Sequence, residues 1–197
     1  MSYKTIEIDW LEEVIAPALD QFYATPEDHD LIVRGVNERT IVASIYRKTD
    51  TILRSMQEKR EDLRGLVIDV EYNRNFYKPK YVFQKCADCS ATNGINHSRS
   101  NQHVESMPDL IIHHRGSNEN NQVVMEFKKA SNQQNREVDE AKLTYFTCQK
   151  PFPNEEEKNY QYLIGLFIDL GESEYVVTIF RDAKIVEVKT RRNGRWF

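Results

Sequence analysis

Apolar residues recur every three or four positions near the start of the chain. Ile6, Trp10, Leu11, Val14, Ile15, Ala18, Leu19 and Phe22 form one stripe over residues 6–23. That period predicts an amphipathic N-terminal helix whose stripe faces the core, with Pro17 as a point of kinking. Thr25-Pro26-Glu27-Asp28 breaks this helix and caps the next. Ile32, Val33, Val36, Ile41, Val42, Ile45 and Tyr46 predict a second helix over residues 32–46, with Glu38 inside it. Ile52, Leu53 and Met56 predict a separate third helix over residues 49–60.

The period then shortens. Residues 66–71, Leu-Val-Ile-Asp-Val-Glu, read as a first core strand, and residues 81–83 as a second. Residues 85–106 are polar and rich in Asn, Ser and His, which predicts a loop. Two apolar runs within residues 107–129, joined by Gly116-Ser117-Asn118-Glu119-Asn120-Asn121, predict a hairpin. A helix is expected over residues 131–148, with Val138, Ala141, Tyr145 and Cys148 on its inner side. Pro151-Phe152-Pro153 ends it. Residues 162–170 are almost wholly apolar, as a strand covered on both faces would be. Gly171 is a turn, and residues 175–180 and 184–189 predict a terminal hairpin.

This order predicts an α/β protein with a central mixed sheet flanked by helices. It has an extra N-terminal helix and a C-terminal β-hairpin. A single domain is expected over residues 1–197, with a helical part at 1–62, a core at 63–170 and the hairpin at 171–197. No apolar run is long enough for a membrane span, and the first residues lack the apolar segment of a signal peptide. Three cysteines are too few for a disulfide scaffold, so the cytoplasm is the expected compartment. The net charge of -4 gives no general basic surface for a polyanion, so any such partner must meet a local cluster.

The candidate chemistry lies in the central hairpin. Its first strand opens with Asp109, and its second carries Glu126 and Lys128, two residues apart and so on one face. A suitable register brings Asp109 beside them. Two carboxylates and a lysine on one patch suit a hard divalent cation and a water molecule. Five acidic-x-Lys tripeptides occur, starting at Glu126, Glu140, Glu156, Asp182 and Glu187. Only the one at Glu126 follows a Pro-Asp dipeptide, with sixteen residues between.

Pro108-Asp109, the spacer and Glu126-Phe127-Lys128 resemble the PD-(D/E)xK nuclease superfamily, which has a restriction-endonuclease-like fold. The helix carrying Glu38, the strand ending in Glu71-Tyr72-Asn73-Arg74 and the element order are similar to a small, poorly characterised bacterial subgroup. The resemblance implies an αβββαβ core and Mg²⁺-dependent hydrolysis of phosphodiester bonds, with DNA as substrate and Mn²⁺ as a substitute ion. It also implies roles. Asp109 and Glu126 would bind metal, Lys128 would handle the attacking water, and Glu38 would assist as a further ligand. Glu71, which alternation places on one face with Asp69, is a further candidate, as are His113 and Arg115 as phosphate or water contacts. Gln133, Gln134 and Lys142 follow the hairpin where superfamily members sometimes use a polar residue, and nothing in the sequence selects one.

Each of these residues also has a plain structural role open to it, as a solvent-facing acid, a strand lysine or a hydrogen-bonded histidine. Cys86 and Cys89 with His97 and His103 have the right ligand types for a structural Zn²⁺, set against two reduced cysteines and two loop histidines. Residues 190–197 mix arginines with Trp196 and Phe197, suited to nucleic acid or to packing on the core. The competing function is a catalytically inactive module on the same fold that binds nucleic acid or protein. A homodimer stays open.

Overall fold

The computed structural model describes residues 6–71, 81–83, 103–105, 107–117, 120–150 and 160–197. It is an α/β structure built on a seven-stranded mixed sheet with helices on both faces. The strands are β1 (Val67–Val70), β2 (Tyr81–Phe83), β3 (His103–Glu105), β4 (Leu110–His113), β5 (Val123–Lys129), β6 (Ile164–Leu170), β7 (Tyr175–Arg181), β8 (Lys184–Arg192) and β9 (Arg195–Trp196). The main sheet runs β1-β4-β5-β6-β7-β8-β9. Every neighbouring pair is antiparallel except β5 and β6, which are parallel and joined through helix α4 (Arg136–Thr147). A parallel pair requires such a crossover, because a tight turn reverses direction.

Alternation divides the core in two. Leu110, Ile112, Val123, Met125 and Phe127 face the N-terminal helices, in the larger cluster. Ile111 and Val124 face α4, in a smaller cluster with Leu143, Phe146, Tyr162, Phe167 and Phe180. Burial on both faces explains the nearly continuous apolar runs of β4 and β6.

The N-terminal helices depart from expectation in detail. A π turn (Leu11–Ile15), closed by the Ala16 N–H on the Leu11 carbonyl, leads into α1 (Ala16–Ala24). Pro17 follows directly on the π turn, inside one continuous helical run over residues 10–24. The predicted helix over residues 32–46 is two helices, α2 (Pro26–Val33) and α3 (Glu38–Gln57). Gly35 at φ 66° turns the chain between them, and the Asn37 side chain caps α3 by accepting the Arg39 N–H at 2.9 Å. Glu38 is therefore the first residue of a helix, not an interior one. The separate helix expected over residues 49–60 is the continuation of α3, whose inner face carries Ile41, Val42, Ile45 and Leu53.

The structure also decides which sheet the outer strands join. Residues 81–83 do not join the main sheet; β2 pairs with β3 in a ribbon of its own, so part of the expected 85–106 loop is strand. The expected C-terminal hairpin forms from β7 and β8, and it extends the main sheet beyond β6. Trp196 packs against the larger core beside Tyr175, while Phe197 is exposed. No helix among the described residues is long and apolar enough to cross a membrane.

Candidate active site

The hairpin register sets the site. Leu110 pairs with Met125 across β4 and β5, so the next rung outward brings Asp109 opposite Glu126. Asp109 is fixed there by its own carboxylate, whose Oδ2 accepts the Phe127 N–H at 2.7 Å. The preceding Pro108 is buried, and the Asp109 carbonyl accepts the Glu71 N–H at 3.1 Å, which ties the end of β1 to the same place. Glu126 and Lys128 project on the α4 face, as alternation requires. Lys129 projects the other way and donates to the Gly35 and Val36 carbonyls at 3.1 Å each.

Asp109, Glu126, Phe127 and Lys128 line one open cleft of about 310 Å³ with Asn37, Glu38, Arg39, Glu71, Met107, Asp139 and Lys142. Glu126 is only 3 % exposed, and its Oε1 atom is buried without a hydrogen-bond partner. Such an atom normally costs about 1–3 kcal/mol, more when charged, so it signals a missing ligand or a stored strain. Burial, then the neighbouring Asp109 carboxylate, pushes the Glu126 pKa well above the usual range. Burial also pushes Asp109 up to about 6, with Asp139 and Glu38 adding repulsion against the relief given by the Phe127 N–H and Lys142.

Two residues of α4 complete the cleft. Asp139 Oδ2 accepts from Lys128 Nζ, and Asp139 Oδ1 from Lys142 Nζ, both at 2.7 Å. Lys142 Nζ also forms an ion pair at 3.6 Å with Glu126 Oε1, too long for a hydrogen bond. Burial works against a charged Lys142, but Glu126 and Asp139 outweigh it and hold the pKa of the ammonium above its ordinary value. The expected inner side of this helix holds at Tyr145 and Cys148, which are buried, and fails at its first turn. Val138 is 54 % exposed, and the buried face runs through Asp139, Leu143 and Phe146. That spacing of four and then three was the signal available for Asp139, because two large apolar residues share its face.

The remaining candidates are distributed as follows. Glu38 lines the cleft and accepts from Asn132 Nδ2 at 3.0 Å. Among the described residues, no group of three or more His, Cys, Asp or Glu side chains is gathered closely enough to hold a metal ion, so the expected third ligand is not brought in beside Asp109 and Glu126. Glu71 does not share a partner set with Asp69. Its φ of 47° ends the alternation, and it pairs with Arg39 at the cleft. Asp69 instead accepts from His113 Nε2 at 2.9 Å and from both the Nε and Nη2 groups of Arg115. His113 is buried in that contact, and neither it nor Arg115 lines the cleft. Cys86, Cys89 and His97 lie outside the described residues, as does the side chain of His103. Cys148 is buried against Ala183.

Asp109 and Glu126 fit a hard divalent cation in donor chemistry. Both offer oxygen, one oxygen lacks a donor, and an ion such as Mg²⁺ asks only one or two carboxylates of a protein and keeps its waters for the rest. Compared with protein-family models, with curated proteins and with solved structures, the chain matches none.

Proposed function

We propose that this chain is a divalent-metal-dependent nuclease of the PD-(D/E)xK kind, cutting phosphodiester bonds in DNA. Helix α3, strands β1, β4 and β5, helix α4 and strand β6 follow the αβββαβ order of a restriction-endonuclease-like core, which supports the proposal. The observation that carries it is the Glu126 carboxyl. It is buried beside Asp109, one oxygen has no donor, and it lies at a cleft that Lys128 also lines.

Asp109 and Glu126 would hold Mg²⁺ or Mn²⁺. When bound, the ion supplies a water of lowered pKa and charge neutralisation at the reacting phosphorus. Asp109 is kept in place by the Phe127 N–H, so its second oxygen is the one left to face the cleft. Lys128 presents a point charge with three donors, one of them engaged by Asp139, and the others would orient the attacking water and the phosphate. Glu38 stands at the cleft from the first turn of α3 and would hold an outer water.

The test is cleavage of plasmid, single-stranded and branched DNA with Mg²⁺ or Mn²⁺, alongside Lys128→Ala and Asp109→Ala. Loss of at least about a hundredfold in both variants is expected. Equal cleavage by all three proteins would place the activity elsewhere. One observation favours a second reading, a binding module that does not cut: the Lys128 ammonium is already paired with Asp139 at 2.7 Å. Metal-dependent DNA binding without cleavage of any substrate would decide for it.

A further inference from the structure

We propose that Lys142 takes the place of a second metal ion, so that the cleft binds one divalent cation and not two. The inference rests on the metal-site reading of Asp109 and Glu126. Lys142 Nζ stands 3.6 Å from Glu126 Oε1, the buried oxygen that no hydrogen bond satisfies. A second ion bridging from that oxygen would occupy the space the ammonium holds. The ammonium is itself fixed, since Asp139 Oδ1 accepts from it at 2.7 Å while the other oxygen of Asp139 accepts from Lys128. Asp139 therefore holds both lysines at the cleft.

Charge balance leads to the same count. Glu38, Asp109, Glu126 and Asp139 bring four carboxylates to the cleft, and Lys128 and Lys142 bring two ammonium groups. Glu71 and Arg39 cancel each other as a pair. The formal excess is two negative charges, which one divalent cation neutralises. A second would leave the partly buried site with an equal positive excess before any substrate arrived. Such an excess is costly where water is scarce.

Mn²⁺ binding to the full-length protein tests this without reference to activity, by calorimetry or by resonance counting of free ion. The wild type is expected to bind one Mn²⁺ per chain, and Asp109→Asn none. Lys142→Met should bind the first ion at least about tenfold more tightly, because a like charge has been removed from beside it. A second, weaker ion should then appear. Lys142→Arg should behave as the wild type. Lys142→Gln serves in place of the methionine variant if that one fails to fold. Two ions on the wild type would overturn the inference while leaving the metal site standing, and so would a methionine variant with unchanged count and affinity. No binding by the wild type would remove the metal site and the inference together.

Discussion

The carboxylate pair should make the metal-free protein less stable than it need be, and Asp109→Asn should reveal by how much. Asp109 moves from an ordinary value of 3.8 to about 6 in the folded chain. The folded state thus holds the proton more tightly than the unfolded one. Stability from this group is fully present below the ordinary value and is lost as pH rises through about 6. Ionising Asp109 in the fold then costs about 3 kcal/mol at neutral pH. Solvent at the cleft mouth screens this to about 2 kcal/mol. Asparagine keeps an oxygen for the Phe127 N–H and carries no charge, so it removes the cost without losing the bond. For a chain of this size the gain is roughly 4–8 °C in Tm, measured by thermal melting in a chelator at about pH 7.5. At about pH 4 the difference should shrink to about half a kcal/mol, because wild-type Asp109 is then protonated in the fold and already partly protonated in the unfolded chain. Added Mg²⁺ should reverse the order by stabilising only the wild type. A variant that melts no higher at neutral pH, or whose advantage survives undiminished at low pH, would refute the argument.

Other expectations follow from the same contacts. Asp69→Asn removes the Asp69 carboxylate from the buried His113 and should cost about 2–3 kcal/mol in denaturant unfolding. Burial acts to raise the Asp69 pKa, but bonds from Arg115 and His113 outweigh it and hold the group low. Its contribution should therefore persist through neutral pH and vanish as pH falls through that lowered value, a loss the asparagine variant will not show. Gly165→Ala places a methyl 2.9 Å from Thr147 Cγ2 and 3.2 Å from Phe180 Cβ, between β6, α4 and β7. It should cost about 1–3 kcal/mol and, by shifting α4, weaken Mn²⁺ binding as well. Leu143→Ala empties a fully buried position on the face that carries Asp139, and a loss of about 2–5 kcal/mol is expected from chemical denaturation.

The sequence by itself determined whatever depends on local period and on neighbours in the chain. Alternation in residues 123–129 put Glu126 and Lys128 together and sent Lys129 to the opposite face, as the lysine bonds to Gly35 and Val36 bear out. The apolar run at 162–170 announced a strand covered on both sides, and the element order announced an α/β sheet. Helix ends were less legible. The break at Gly35 hides in a stretch whose apolar spacing runs on across it, because a single left-handed residue changes direction without changing composition.

Only the tertiary structure decided the rest. The facing of α4 depends on which ridge packs against β5 and β6, and Val138 and Leu143 are equally apolar as letters. Packing chose Leu143 and Phe146, and so carried Asp139 and Lys142 into the cleft. Arg115 and His113, the partners of Asp69, lie more than forty residues from it, and their pairing was drawn by the sheet. Local residue types set what each group can do chemically. Their meeting is a long-range event, driven by burying two apolar faces at once, and no short window of the chain contains that free energy.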